Sequence, residues 1–344
     1  MHMSDPKSRP CSFHSLAMVL LGVVALVCFS PLPSNGGQPK VIRVASLIAL
    51  GHNHSVAIQK FAAGVKQRTQ GQIDVQYFPD SQLGSGSEIV QSVKQGTIEM
   101  ALAYTVLVAP FEPVVGVTML PYVFRDFPQM RKILHGQPGK KIADRLLQTT
   151  GIRTLAWLEQ GLRNIETSKR EVLKVEDFRG LKLRVPQTEI TTHIYRVLNA
   201  SPAPMAFGEL YTALQTGVMD GAEMDTMGLV SSKLYEVSGN LYLWGISSST
   251  GMVIINDKFY QGLTAEQQKI LSEEMSAAQK YNSDTIEGLE KKALEDLVAA
   301  GQLKVVAAPA AELTRVRDIL KSVNEAYGKK YNVEDLLKEM ATIQ

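Results

Sequence analysis

Between Val41 and Tyr104 the sequence switches repeatedly between a two-residue and a 3.6-residue hydrophobic period, and few folds accommodate that. VIRVASL (41–47) reads as a strand, and GHNH turns it into a helix beginning near Ser55. On that helix Ile58, Phe61, Ala62 and Val65 share one face and Gly71 is the stop. IDVQYFP is a second alternating strand, closed by Pro79. The loop SQLGSGS leads to a helix from Glu88 to about Gln95, and IEMALAY is a third strand. A β-α-β-α-β order of this kind predicts a doubly wound α/β unit.

The alternation resumes near Ile152 with IRTLAWL, EVLKVEDFRG, LKLRVP, the helix TTHIYRVLNA, and FGELYTALQTG followed by VMDGAEM. GMVIIN (251–256) adds a further strand. The longest helical stretch opens at Thr264, where T-A-E-Q fits a capping box with Gln267 as its return partner, and runs to Ala300 before Gly301. At about 1.5 Å per residue it exceeds 50 Å, more than one small domain. A chain of 344 residues suggests two domains. No low-complexity linker separates the halves, so the chain is expected to cross between them more than once. The expected partition is residues 38–160 with 250–285 for the first α/β domain, and 161–249 with 286–344 for the second. The long helix spans both, and a ligand cleft lies between them.

Residues 1–37 read as a secretory signal peptide. Lys7 and Arg9 precede the apolar run from Leu16 to Phe29, which SPLPSNGG ends. That run is shorter than the about 20 residues a membrane-spanning helix needs. Both cysteines, Cys11 and Cys28, fall inside it or before it. The remaining chain therefore offers no disulfide, thiolate nucleophile or cysteine metal site, and a soluble periplasmic protein is expected. Net charge is +2 without a basic, aromatic-interleaved run, which argues against a nucleic-acid partner.

No phosphate-binding loop, nucleophile elbow or zinc-protease motif occurs, so neither a cofactor nor a metal is expected. His52 and His54 stand two residues apart without further ligands at metal spacing. They lie in a loop beyond the carboxyl end of a strand, where open α/β sheets bind ligands. Glu223 and Asp225 fit either acid–base work or structural hydrogen bonding near the Asp220-Gly221 turn. In GLKLRVPQTE (180–189), Leu181, Leu183 and Val185 alternate with Lys182 and Arg184, and Pro186 stops the strand. Arg184 thus sits at a strand's carboxyl end, and Arg163 in EQGLRNIETSK also follows a strand. Each is open to three readings: a solvated charge, a structural ion pair, or a fork that grips a carboxylate bidentately.

Four segments in order carry a family resemblance: FPDSQLG (78–84), LPYVFRD (120–126), DFRGLKLRVP (177–186) and PMAFGELYTALQTGVMDGAE (204–223). The chain resembles the solute-binding receptors of tripartite ATP-independent periplasmic (TRAP) transporters, dicarboxylate-receptor (DctP) type, from about residue 40 to the C-terminus. The resemblance implies a two-domain α/β receptor, a monomer, that closes on a small organic acid. It would pass the acid to one small and one large membrane subunit driven by an ion gradient. It places the carboxylate-pairing arginine at Arg184, a second at Arg163, and the ligand-stacking aromatic at Phe207. By position, His52 to His54 and Tyr104 or Thr105 supply first-domain contacts, and Asp225 is a further candidate. Where many relatives carry asparagine after D-G-x-E this chain has Met224, and where they often carry histidine it has Trp244, Gly245 and Ile246. Facing the ligand, Met224 and Trp244 would favour a 2-oxo, 2-hydroxy or aromatic monocarboxylate; as packing residues they say nothing of it. A sugar acid or C4-dicarboxylate receptor is the alternative, and a periplasmic enzyme acting on organic acids is the rival class.

Overall fold

The computed structural model describes residues 38–344; the segment expected to be a signal peptide, with Cys11 and Cys28, lies outside the described residues. Nine strands of the described residues join one sheet: β1 (Lys40–Ser46), β2 (Ile73–Phe78), β3 (Met100–Tyr104), β4 (Ile152–Thr167), β5 (Lys182–Val185), β6 (Ser201–Pro204), β7 (Gly221–Asp225), β8 (Asn240–Asn256) and β9 (Lys304–Ala307). Their order is β2-β1-β3-β8-β4-β7-β5-β6, with β9 beside β8. Strands β2, β1 and β3 are parallel, as are β7, β5 and β6. The long antiparallel pair β4–β8 joins the two parallel sets. The α/β class expected from the periodicity is therefore present, with an antiparallel centre that the alternation did not predict.

Parallel strands need both faces covered, and the side chains show how this is done. In β1, Ile42 and Val44 enter one cluster with Phe61, Met100, Leu102, Leu271 and Met275, while Ala45 enters a second with Ala101 and Ile89. The helix Asn53–Arg68 buries Ala57, Ile58, Phe61 and Val65, a 3–4 spacing that yields one apolar stripe. The long helix Ala265–Ala299 starts with the expected reciprocal cap: Gln267 N donates to Thr264 Oγ1 (3.2 Å) and Thr264 N to Gln267 Oε1 (3.1 Å). Leu271 and Met275 near its start pack beside β1 and β3, whereas Leu297 near its end packs with Leu229, Leu241 and Leu303. One helix thus lies against both parallel sets.

Two local readings are corrected. IRTLAWL does not end before Arg163; β4 continues to Thr167, paired with β8 on one edge and β7 on the other. The ladder to β8 continues through Gly161, which sits at a bulge with φ +130°, and β7 joins from Arg163 onward. EVLKVEDFRG holds only the 3₁₀ turn Val175–Phe178, with Asp177 Oδ2 accepting from Leu173 N (2.9 Å) and Lys174 N (3.0 Å). That carboxylate gives the backbone a turn in place of a helix.

Candidate functional site

Arg184 owes its position to the pleat of β5. Leu183 and Val185 turn into the large core cluster, so Arg184 turns to the opposite face. It is only 4% exposed. Its Nε and Nη2 both donate to Met205 O (3.1 and 2.8 Å), and its guanidinium carbon lies 6.0 Å from the centre of the Phe207 ring. Phe207 is 40% exposed, a large aromatic face left open beside a buried cation. No carboxylate forms an ion pair with Arg184 among the described residues, and its Nη1 makes no hydrogen bond there. Burial, and then the nearby positive Arg163, push its pKa down to about 10. A desolvated fork with a free edge is suited to an anion.

Glu166 does not neutralise it. Arg184 pairs in register with Ala222, and Ala222 with Glu166, so the three lie side by side across β5, β7 and β4. Glu166 is fully buried, its carboxylate receives one hydrogen bond among the described residues, from Ser238 Oγ (3.2 Å), and burial pushes its pKa up to about 8. Its folded-state pKa is raised, so its favourable state is complete below the ordinary carboxylate range and is lost as pH climbs toward 8. Glu166→Gln removes that loss. Its stability gain over wild type is expected to grow by about 3 kcal/mol between pH 5 and pH 8. Urea unfolding at the two pH values measures this; a pH-independent difference would show that Glu166 is charged in the fold.

Arg163 is different, because protein groups surround it. Nε stands 2.7 Å from Glu223 Oε1, Nη1 donates to Ser249 Oγ (2.6 Å) and lies 3.4 Å from Asp225 Oδ2, and Nη2 donates to Glu223 O (2.7 Å). Burial works against the charge, but Glu223 and Asp225 outweigh it and hold the pKa above its ordinary value. Asp225 is itself engaged: it accepts from Gln160 Nε2 (2.6 Å), from Ser249 Oγ (2.8 Å) and, as a helix cap, from Gly228 N (2.7 Å).

A polar chain leads from this cluster to the other parallel set. Gln160 accepts a short hydrogen bond from Tyr104 OH at the carboxyl end of β3, and the Tyr104 ring lies 6.0 Å from that of His54. His52 caps the helix Asn53–Arg68, its Nδ1 accepting from His54 N (3.1 Å), and His54 Nε2 donates to Glu159 O (3.0 Å). Both rings are buried. Burial lowers the His52 pKa to about 3 and the His54 pKa to about 4. Thr105 is buried at the start of the short helix that follows β3.

Two candidates lie in cores. Met224 alternates with Glu223 and Asp225 on β7 and points the other way, among Leu210, Leu214 and Leu229. Trp244 is 1% exposed, packs edge-on against Phe178 at 5.2 Å and donates Nε1 to Val172 O (2.8 Å). Residues that no sequence motif marked take part in the polar chain: Gln160, Ser249, Glu159 and Asn282. Among the described residues no group of three or more His, Cys, Asp or Glu side chains is arranged to hold a metal ion, and no helix is long and apolar enough to cross a membrane.

Residues 45–330 match the family described as bacterial extracellular solute-binding protein, family 7 (DctP). The chain is 30% identical over 246 residues to the 2,3-diketo-L-gulonate-binding periplasmic protein YiaO of Escherichia coli, covering 72% of this chain and 75% of that protein. It is 28% identical over 321 residues to the C4-dicarboxylate-binding periplasmic protein DctP of Rhodobacter capsulatus, covering 92% and 95%. Its fold superposes on a TRAP periplasmic solute-binding protein of Roseobacter denitrificans with bound β-D-glucuronate, at a TM-score of 0.84 and 28% identity, over 89% of this chain and all of that one.

Proposed function

This chain belongs to the DctP family of TRAP periplasmic solute-binding proteins, and on that premise we propose that it holds a small organic acid by its carboxylate at Arg184. The reading rests on one observation: a guanidinium that is 4% exposed, its pKa pushed down to about 10, in ion-pair contact with no carboxylate among the described residues, and flanked by the open ring of Phe207. Phe207 supplies the apolar wall, and the loop of His52 and His54 with Tyr104 supplies the opposing polar edge. Arg163 and Asp225 brace each other at the rim. The two parallel strand sets are the two lobes, and closure about β4, β8 and the long helix traps the acid. The receptor then hands the acid to one small and one large membrane subunit. It works in the periplasm, exported by residues 1–37, and turns nothing over.

The core positions of Met224 and Trp244 remove the ground for preferring an aromatic or apolar acid. The relatives favour an oxygen-rich acid: YiaO is named for 2,3-diketo-L-gulonate, at once a 2-oxo acid and a sugar acid. A thermal-shift screen with D-glucuronate, D-galacturonate, L-gulonate, 2,3-diketo-L-gulonate, pyruvate, succinate and benzoate tests the reading. An acid at 100 times its Kd adds about 2.7 kcal/mol of stability. A sugar acid is expected to give the largest rise in Tm and benzoate none. No rise with any acid, or consumption of one by the purified protein, would overturn the proposal.

A further inference from the structure

We infer that Asn282, on the long helix, is a positioning residue that makes the first loop present a neutral N–H donor, His52 Nε2–H, to the bound acid. This rests on the acid-receptor reading above. Asn282 is fully buried. Its Nδ2 donates to Glu159 O (3.1 Å) and Glu159 Oε2 (2.8 Å), and its Oδ1 accepts from Asn53 Nδ2 (2.8 Å). The amide has one allowed orientation. Turned over, it would set Oδ1 against two acceptors of Glu159 and Nδ2 against the Asn53 amino group. The helix therefore fixes Asn53 from one side and the Glu159 carbonyl from the other.

The polarity of the loop follows from those two anchors. A carbonyl only accepts, so His54 carries its proton on Nε2, facing Glu159 O at 3.0 Å. His54 N–H donates to His52 Nδ1 at 3.1 Å, which makes Nδ1 the acceptor and leaves the proton of a neutral ring on Nε2. Burial and the neighbouring His54 keep His52 neutral, while Asp225, close enough to be felt, pulls the other way. His52 is 3% exposed, and its Nε2 meets no hydrogen-bond partner among the described residues. A buried donor without a partner is costly, and an acceptor brought by a ligand relieves that cost. The acid must then carry a carbonyl or hydroxyl oxygen besides the carboxylate that Arg184 takes. Ser283, the next residue on the helix, donates to the Glu159 carboxylate (3.0 and 2.9 Å) and among the described residues makes no hydrogen bond with Asn53.

Long-range ¹H–¹⁵N spectra of the histidine-labelled protein, recorded without any acid, test this. In the wild type His52 and His54 are each expected as one tautomer, protonated on Nε2, unchanged from pH 5 to 8. Asn282→Ala and Asn53→Ala are expected to give His52 as a mixture of tautomers, and Ser283→Ala to leave it as in the wild type. A wild-type His52 protonated on Nδ1 would overturn the inference. So would an unmoved tautomer in both asparagine variants, or an equal response to Ser283→Ala, the mark of general loosening. In a second arm, each of D-glucuronate, L-gulonate and pyruvate that stabilises the wild type is expected to bind His52→Phe about 10-fold more weakly; undiminished binding would also overturn it. If none of the three stabilises the wild type, it is the acid-binding reading that loses support, and the tautomer spectra still decide the role of Asn282.

Discussion

Arg184→Ala is expected to weaken acid binding by about 30-fold to several thousand-fold. Truncating one partner of a buried, hydrogen-bonded charge pair costs roughly 2 to 5 kcal/mol, at about 1.4 kcal/mol per decade of affinity. Arg184→Lys should fall in the same range, because an ammonium cannot reproduce two parallel N–H donors at fixed spacing. The stability of the acid-free protein should respond in the opposite sense. A fall in pKa from 12.5 to about 10 means the fold disfavours this charge at every pH below about 10, a cost of about 3 kcal/mol. Arg184→Met, which keeps most of the side-chain volume, should therefore unfold at the same or higher urea concentration than wild type. Isothermal titration and urea melts separate the two effects. Near wild-type affinity in Arg184→Ala or Arg184→Lys would remove Arg184 from the site, and a large loss of stability in Arg184→Met would make it a structural residue.

What could be read in advance follows the range of the interactions involved. Arg184 was placed by alternation over five residues and a proline stop, both local properties of the chain. The long helix was equally local: its capping box spans Thr264 to Gln267, and the structure forms both reciprocal bonds. The polar chain was hidden because its partners are far apart in sequence. Asn53 meets Asn282 across 229 positions, and Gln160 meets Asp225 across 65. Motif position left Met224 and Trp244 open between ligand contact and packing, since it says which strand a residue joins but not which way the pleat turns it. Met224 turns inward because Glu223 and Asp225 turn toward Arg163. Trp244 turns inward because β8 advances from Tyr242 to Ser247 while β4 advances only from Ile165 to Arg163. The extra residues arch out there, with Gly245 at φ +54°.

The same long-range contacts separate the two arginines that the motifs treated alike, and Arg163→Ala is expected to be the more damaging change to the fold. Arg163 faces two carboxylates that form an ion pair with no other cation among the described residues: Glu223, fully buried, and Asp225, 3% exposed. Removing the guanidinium strands both charges away from water, and breaking a buried ion pair from one side costs about 3 to 5 kcal/mol. A neutral set should restore much of that loss, because the cost lies in the uncompensated charges rather than in the missing attraction. Arg163→Met combined with Glu223→Gln and Asp225→Asn keeps an oxygen at position 225 for Gln160 Nε2 and Gly228 N while removing all three charges. Urea unfolding of Arg163→Ala beside this triple variant is the measurement, with the single change expected to be the less stable. If Arg163→Ala instead keeps wild-type stability and loses only acid affinity, Glu223 and Asp225 are not its obligatory partners. In that case both arginines grip the ligand, and the division of labour between a binding Arg184 and a bracing Arg163 is wrong.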